Sequence, residues 1–355
     1  MTTLTEDNAI LAMDIGGGTQ DILIYQPDEP MENAVKMILP SPTIIAARRI
    51  GRVTAAKKPL FLSGRVMGGG AVSKAVRRHL AAGWPVYSLK EPALTLHDDL
   101  DKVRALGVQI VDEGPQDDSV EVRLGDLDLD ALGQALAVFE VEPPHNLALA
   151  IQDHGFSPHA SNRLNRFAQW QRFLSSGGDV GDLIFTEPPE ELTRWVAALT
   201  MVPRAFFMDT SAAALRGALL DEYAARHLSR GLIMVNVGNE HTVAFLVKGR
   251  RVYGVYEHHT SLLDHVLLAG QLERFGGGNL THKEIFTAFG HGVAYQPGAE
   301  ALAPWEPMVV TGPRRELAKG LGHMAAPYGE MMFSGCFGLI QAVLELLPKG
   351  ETTWA

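Results

Sequence analysis

Apolar positions along the chain fall into short runs punctuated by glycine, proline and acidic residues. Residues 9–25, AILAMDIGGGTQDILIY, are the clearest case: two apolar runs flank a turn holding Gly16, Gly17 and Gly18. Strand, glycine turn, strand predicts a β-hairpin. A third strand is expected over 34–39, ended by Pro40 and Pro42, while 43–50 is ambiguous. A second glycine cluster, Gly68 to Gly70, precedes a helix expected over 71–83. Short strands are expected at VYSL and at VEVRL, the latter exposed, with helices at DDLDKVRALG and DLDALGQALAVFE. A buried strand follows in LALAIQDHG, 147–155, then a helix over about 161–174. In the second half the pattern predicts a strand over 204–209 and one helix over 210–228, capped by Asp209, Thr210 or Ser211. A three-stranded meander is expected over 231–263 and a helix over 261–275. Thr281 and Glu284 fit a capping box, 294–304 reads as a proline-rich loop, a strand and helix are expected within 307–325, and an apolar helix over 331–347.

Composition narrows the class. With 355 residues, 46% of them hydrophobic, two domains or one large one are expected. A formal net charge of −10 disfavours nonspecific nucleic-acid binding. The single cysteine, Cys336, excludes an internal disulfide and an all-cysteine iron–sulfur site within one chain, and packing is the expected role for it. The polar start MTTLTEDN shows no signal peptide and no run suggests a membrane span, so a cytoplasmic protein without a membrane partner is expected.

The chemistry centres on the first hairpin. Successive backbone N–H groups in a glycine turn can form an anion-binding nest. Asp14 and Asp21 flank it, and carboxylates repel phosphate unless a cation such as Mg2+ lies between. A metal–nucleotide phosphate site is one reading; a tight turn with incidental acids is the other. The pattern is neither a P-loop nor GxGxxG before a helix. An internal echo supports the first reading: Asn236-Val-Gly238-Asn239-Glu-His-Thr242 repeats the shape of Asp14 to Thr19, and two such hairpins face to face would clamp a phosphate chain.

Other candidates are weaker. The Gly68 turn, with Arg65, Lys74, Arg77 and Arg78, is an anion site or a solvated helix start. Asp153, at the end of a buried strand, is a candidate to orient a water or an acceptor hydroxyl. His154 and His159 are candidate metal ligands or structural histidines. Among Glu257, His258 and His259, strand alternation lets only some side chains point into a cleft. The turn Thr311-Gly312-Pro313-Arg314-Arg315 can pack on a base or ribose, with an arginine stacking or reaching phosphate, or it is an ordinary strand–helix junction.

DIGGGTQD at 14–21 resembles the first phosphate motif, DxGxGTxD, of the actin, Hsp70 and sugar-kinase ATPase superfamily. MDTSAAALRGALL, 208–220, resembles the linking segment of Hsp70. VNVGNEHT, 235–242, then falls where the second phosphate motif belongs, and VVTGPRRE, 309–316, resembles the adenosine motif. The resemblance implies an α/β, actin-like (ribonuclease H-like) fold, duplicated into two domains around an interdomain cleft. The first domain would be 1–208, with an inserted segment at about 43–130; the second 209–330; and 331–355 a C-terminal helix returning to the first. It also implies ATP and Mg2+ as cofactors, with Asp14 holding the metal through water, Asp21 beside it, and Gly16, Gly17, Gly18 and Thr19 on the phosphates. Gly238, Asn239 and Thr242 would belong to the second phosphate site, and Gly312 with Arg314 to the adenosine site.

The implied activity is a slow ATPase or a phosphotransferase to a small-molecule acceptor, with Asp14 and Asp153 as catalytic candidates. Asn236 and Asn239 replace the aspartate and double glycine of the second motif, and Pro313 removes a backbone donor from the third. Those departures favour an alternative: a non-catalytic, nucleotide-gated interaction or structural protein with a protein partner. A metal-binding protein using His154, His159, His258 or His259 is a third reading. The sequence also resembles a small family of unassigned function labelled pyruvate formate-lyase activating-like. The label implies radical chemistry, whose CxxxCxxC cluster one cysteine cannot supply.

Overall fold

The computed structural model describes residues 8–114, 118–202 and 204–346. The first hairpin forms as the pattern requires. Ile10–Ile15 and Thr19–Tyr25 pair antiparallel, and Val35–Pro40 extends the meander. Ile10–Ile15 then pairs in parallel with Asn146–Ile151, which pairs in parallel with Phe206–Met208. The short strand Ile184–Phe185 closes that edge. Every residue of Asn146–Ile151 is buried, as expected of a central parallel strand covered on both faces.

A second sheet follows the same plan. Leu232–Val237, His241–Lys248 and Arg251–His259 form an antiparallel meander. Leu232–Val237 continues in parallel with Met308–Thr311, and that strand with His323–Met324. Gly292–Tyr295 adds to the outer side of Arg251–His259. A third, parallel sheet of four strands (Val108–Ile110, Val86–Ser88, Leu60–Gly64, Val120–Leu124) has its own core around Leu60, Leu62, Val72, Val76 and Val86.

Several expectations need correction. The ambiguous 43–50 is part of the helix Pro42–Ala55, which buries Thr43, Ala46, Ile50 and Val53 at helical spacing. VEVRL is an edge strand that buries Val122 and Leu124 and exposes Glu121 and Arg123, so it is half-buried. The helix over 210–228 is two, Thr210–Ala218 and Glu222–His227. Asp221 separates them, accepting from the Tyr223 and Ala224 amides, from Ala326 N at 3.0 Å and from His323 Nε2 at 2.9 Å. The loop over 294–304 holds the end of Gly292–Tyr295 and a 3-10 turn, Ala299–Leu302. The helix expected within 307–325 does not form: after Met308–Thr311 the segment makes a 3-10 turn, Arg315–Ala318, then the strand His323–Met324. The capping box at Thr281 and Glu284 is present with both of its hydrogen bonds.

Because Asp221 is a cap and also a tie to the 323–326 segment, Asp221→Ala should lower stability by about 1–2 kcal/mol. Urea melts of the two proteins would check this; a change within error would mean that these bonds are replaced by water without loss.

The helix Ser334–Glu345 packs against Thr210–Ala218 and against the first sheet. A Cβ on Gly217 would strike the Ser334 carbonyl, and one on Gly338 the Ala213 carbonyl, so the two backbones touch. Cys336 is fully buried beneath them, its thiol 3.2 Å from the Asp21 carbonyl. Its pKa is pushed well up by burial, and Asp14 and Asp21 add to the shift, in keeping with a packing role.

Candidate functional site

The two meanders present similar turns to one another. In the first, Gly16 N donates to Thr19 O at 2.9 Å; in the second, Gly238 N donates to His241 O at 2.9 Å. Ser41 fixes the first turn, its amide bonding Gly18 O and its hydroxyl Gly17 O, each at 3.1 Å. The turns touch. A Cβ on Gly17 would lie 2.5 Å from Glu240 Cγ, and one on Gly18 2.5 Å from Asn239 Nδ2. A side chain at either position would have to displace Glu240 or Asn239 of the facing turn.

A cavity of about 390 Å³ opens beside the turns. Asp14, Gly16, Gly17, Thr19 and Asp21 line it from the first hairpin, and Gly238 and Asn239 from the second. Gly312 and Asp153 also line it, as does the cluster Gly68 to Gly70. Gly312 has φ +100°, and a Cβ there would lie 2.5 Å from Val237 O. Three candidate residues sit off the wall. Gly18 is turned onto Asn239; Thr242 is fully buried, its hydroxyl 3.0 Å from that of Thr260; Arg314 is exposed and gives its amide to Val237 O. Lys74, Arg77 and Arg78 face solvent, and Arg65 pairs with Glu91 at 2.8 Å, so of that segment it is the glycine turn that lines the cavity.

Asp14 and Asp21 are direct cross-strand partners and share one face of the hairpin. Oδ1 of each is buried without a hydrogen-bond partner, and among the described residues neither forms an ion pair. Burial drives the Asp14 pKa well above the carboxylate range, with Asp21 and Asp209 adding to the shift. Burial raises Asp21 to about 7, against the lowering effect of the Thr19 hydroxyl. Gly335, at the start of the last helix, leaves no space for a side chain against the Asp14 carboxylate. Two adjacent buried carboxylates, each with an unsatisfied oxygen, are costly unless protonated or bound to a cation. An all-oxygen donor pair beside a nest of amides fits Mg2+ and phosphate.

Asp153 is differently employed. Its Oδ1 accepts from Gly155 N and its Oδ2 from Arg194 N, both at 2.7 Å. Arg194 in turn grips Asp126 with two bonds of 2.7 and 2.8 Å, and Asp126 accepts from Gly68 N at 3.3 Å. This chain ties the Gly68 turn to the end of the central strand and explains how a segment so distant in sequence reaches the cavity.

A second polar centre adjoins the first. Ligand-capable atoms of His154, His241 and His291 lie within 4.8 Å of one another. His259 is close, with ring centroids 5.0 Å from His241 and 4.6 Å from His291. Glu257, fully buried behind them, accepts from His241 Nδ1 at 2.7 Å and from Trp170 Nε1 at 2.8 Å. Arg166, 2% exposed, joins Glu257 at 3.2 Å and Asp209 at 2.8 Å. Burial alone would raise the Glu257 pKa; Arg166 and the neighbouring histidines outweigh it and hold the group well below the usual range. Of the sequence candidates, His154 and His259 belong here. His159 is exposed, and His258 is on the opposite face of its strand from His259. Sequence reasoning missed His241 and His291 as candidate ligands. His241 was open to discovery, since the hairpin register pairs it with His259; His291 carries no local signal.

Among the described residues no helix is long and apolar enough to cross a membrane. A search of curated proteins returned no match. Among solved structures the chain is similar to the ethanolamine utilization protein EutJ from Carboxydothermus hydrogenoformans, at 11% identity over 96% of this chain and 92% of that one, TM-score 0.32. It is also similar to the activator of the 2-hydroxyisocaproyl-CoA dehydratase from Clostridium difficile with bound ADPNP, at 8% identity over 95% of each chain, TM-score 0.33. A third is the PilM-PilN type IV pilus biogenesis complex, at 12% identity over 96% of this chain and 99% of that one, TM-score 0.35. At these TM-scores the likeness carries no argument about function. Residues 67–317, well over half of the chain, match the family described as "Putative pyruvate format-lyase activating enzyme (DUF1786)", and the protein belongs to that family.

Proposed function

We propose that the protein binds ATP with Mg2+ in the cavity beside the two glycine turns, within a duplicated, actin-like α/β fold. The observation that carries this reading is the pair of buried carboxylates, Asp14 and Asp21, each with one oxygen lacking a hydrogen-bond partner, beside backbone amides that can take phosphate. Support for the duplication comes from the shared strand plan of the two six-stranded sheets and the matched closure of their turns. In this reading the first domain is 1–208, with the parallel four-stranded sheet as its insertion at about 43–130. The second is 209–330, and the segment from 331 returns to the first.

Asp14 and Asp21 hold the cation, which neutralises phosphate charge. Gly16, Gly17 and Thr19 offer backbone contacts to one end of the phosphate chain, and Gly238 and Asn239 to the other. Gly312, kept free of a side chain by its fit against Val237, receives the nucleoside end. Both oxygens of Asp153 already accept amides, so we assign it as a positioning residue that fixes the 152–155 loop. The activity is then a slow ATPase or transfer to a small-molecule acceptor, since phosphoryl transfer is largely positioning and charge neutralisation. A specific observation favours a second reading, nucleotide-gated interaction with a protein partner. The turns already touch, with Glu240 against Gly17, and the single cationic side chain among the described cavity residues other than histidine, Arg194, is bound to Asp126.

The acidic wall makes the metal obligatory. Calorimetric titration with ATP should show binding in Mg2+ and at least tenfold weaker binding in EDTA, and Asp14→Ala should remove most of the Mg2+ dependence. Equal ATP binding with and without Mg2+ would overturn the role given to the carboxylates, and no binding in either would overturn the nucleotide site. Turnover separates the two readings: stoichiometric binding without hydrolysis or transfer selects the interaction protein.

A further inference from the structure

We propose that His154, His241 and His291 form a second metal site, distinct from the carboxylate pair, that takes zinc or a neighbouring late first-row divalent ion and keeps one coordination position open to the cavity. The first ground is geometry. The three ligand-capable atoms converge within 4.8 Å of one another, and imidazole nitrogens on a tetrahedral zinc ion stand about 3.4 Å apart, so a small rotation of the rings closes the set. The second is an unmet need. His291 is fully buried, yet both of its ring nitrogens lack a partner. A buried imidazole with two idle nitrogens is costly, and a metal bond relieves it.

The third ground is orientation. His241 Nδ1 is held between Glu257 Oε1 at 2.7 Å and Gln152 Nε2 at 2.8 Å, and with its proton on Nδ1 toward the carboxylate the ring offers Nε2 as a lone-pair donor. A carboxylate behind an imidazole is the arrangement that sets tautomer and basicity in histidine metal sites.

Nitrogen donors separate this site from the oxygen-only pair at Asp14 and Asp21: imidazole suits zinc, copper, iron and nickel, whereas carboxylates suit magnesium. Three protein ligands with an open fourth position are the pattern of a site that accepts water or a substrate atom. His154 and His241 line the cavity, so that position faces the same space as the phosphate-binding turns. The site also spans the fold. His154 follows the central strand of the first sheet, while His241 opens one strand of the second and His291 immediately precedes another. A bound ion therefore links the two sheets.

The test begins with the full chain stripped by chelator and titrated with Co2+. One equivalent per chain, with the intense visible absorption of four-coordinate cobalt and a rise in melting temperature, is the expected result. Zn2+ should displace the colour, whereas excess Mg2+ should not. His291→Ala should lower cobalt affinity at least tenfold. His159→Ala, at an exposed histidine, and Asp14→Ala should both leave the spectrum intact, which separates this site from the magnesium site. Absence of the four-coordinate spectrum in the unaltered chain, which needs no variant to fold, would overturn the proposal. So would full cobalt affinity in a folded His291→Ala protein.

Discussion

Arg166→Met will destabilise the protein by about 3–5 kcal/mol, the scale observed when one member of a buried ion pair is removed. The guanidinium is 2% exposed and stands between two carboxylates, Asp209 at 2.8 Å and Glu257 at 3.2 Å. Methionine matches much of its volume but leaves both acids without their cation. The three residues come from separate places: Arg166 from the helix Asn162–Ser175, Asp209 from the cap of Thr210–Ala218, and Glu257 from the strand Arg251–His259. The loss therefore loosens the join between the two sheets and is read as a lower urea midpoint. The triple change Arg166→Met, Asp209→Asn, Glu257→Gln should recover part of the loss, because the unpaired charges are then gone. A single variant within 1 kcal/mol of the parent would show that the carboxylates are satisfied without Arg166.

Gly338→Val is expected to cost about 3 kcal/mol or more, because the side chain has to be forced between two helices. The colliding atoms are the backbone carbonyl of Ala213 and the amide of Gly217, which cannot step aside by changing rotamer. Intrinsic helix propensity predicts the opposite sign, since glycine inside a helix is worse than alanine by about 1 kcal/mol. Gly51 provides the contrast. It lies inside Pro42–Ala55 with nothing within 4 Å of its missing Cβ, so Gly51→Ala should stabilise by about 0.5–1 kcal/mol. Thermal melts of both variants test whether contact or propensity governs each helix. If Gly338→Val melts with the parent, the two helices are not in backbone contact.

Local periodicity made the hairpins legible: alternating apolar residues and a glycine turn specify 10–25 and 232–248 without help from the rest of the chain. The capping box at Thr281 was equally local. What escaped was set at long range. The helix over 210–228 looks continuous by propensity, but Asp221 has partners in the segment 323–326, and those bonds end one helix and start another. The adenosine-like segment reads as strand then helix, yet its parallel strand His323–Met324 claims residues that propensity assigns to the helix. At the site, Asp14 and the glycines announce themselves by motif, and the structure brings Gly68 to Gly70 to the same wall through Arg194 and Asp126. The histidine cluster required the register that pairs His241 with His259 and the tertiary arrival of His291. Single residues with no motif around them carry no such signal in one sequence.

The last described helix has a consequence for the making of the protein. Its Cys336 lies against the Ala12 carbonyl across 324 residues of chain. The first hairpin can leave the ribosome and pair early, yet the layer that covers it is synthesised some 324 residues later. Until Ser334–Glu345 docks, the apolar face of Ile10–Ile15 lacks that cover, and Asp14 remains open to water on the side that Gly335 later closes. Contacts that join distant parts of a chain form slowly because the closure entropy comes first. Translation therefore delivers Asp14 long before the segment that closes over its carboxylate, and a nascent chain interrupted before residue 334 leaves that side of Asp14 open to water.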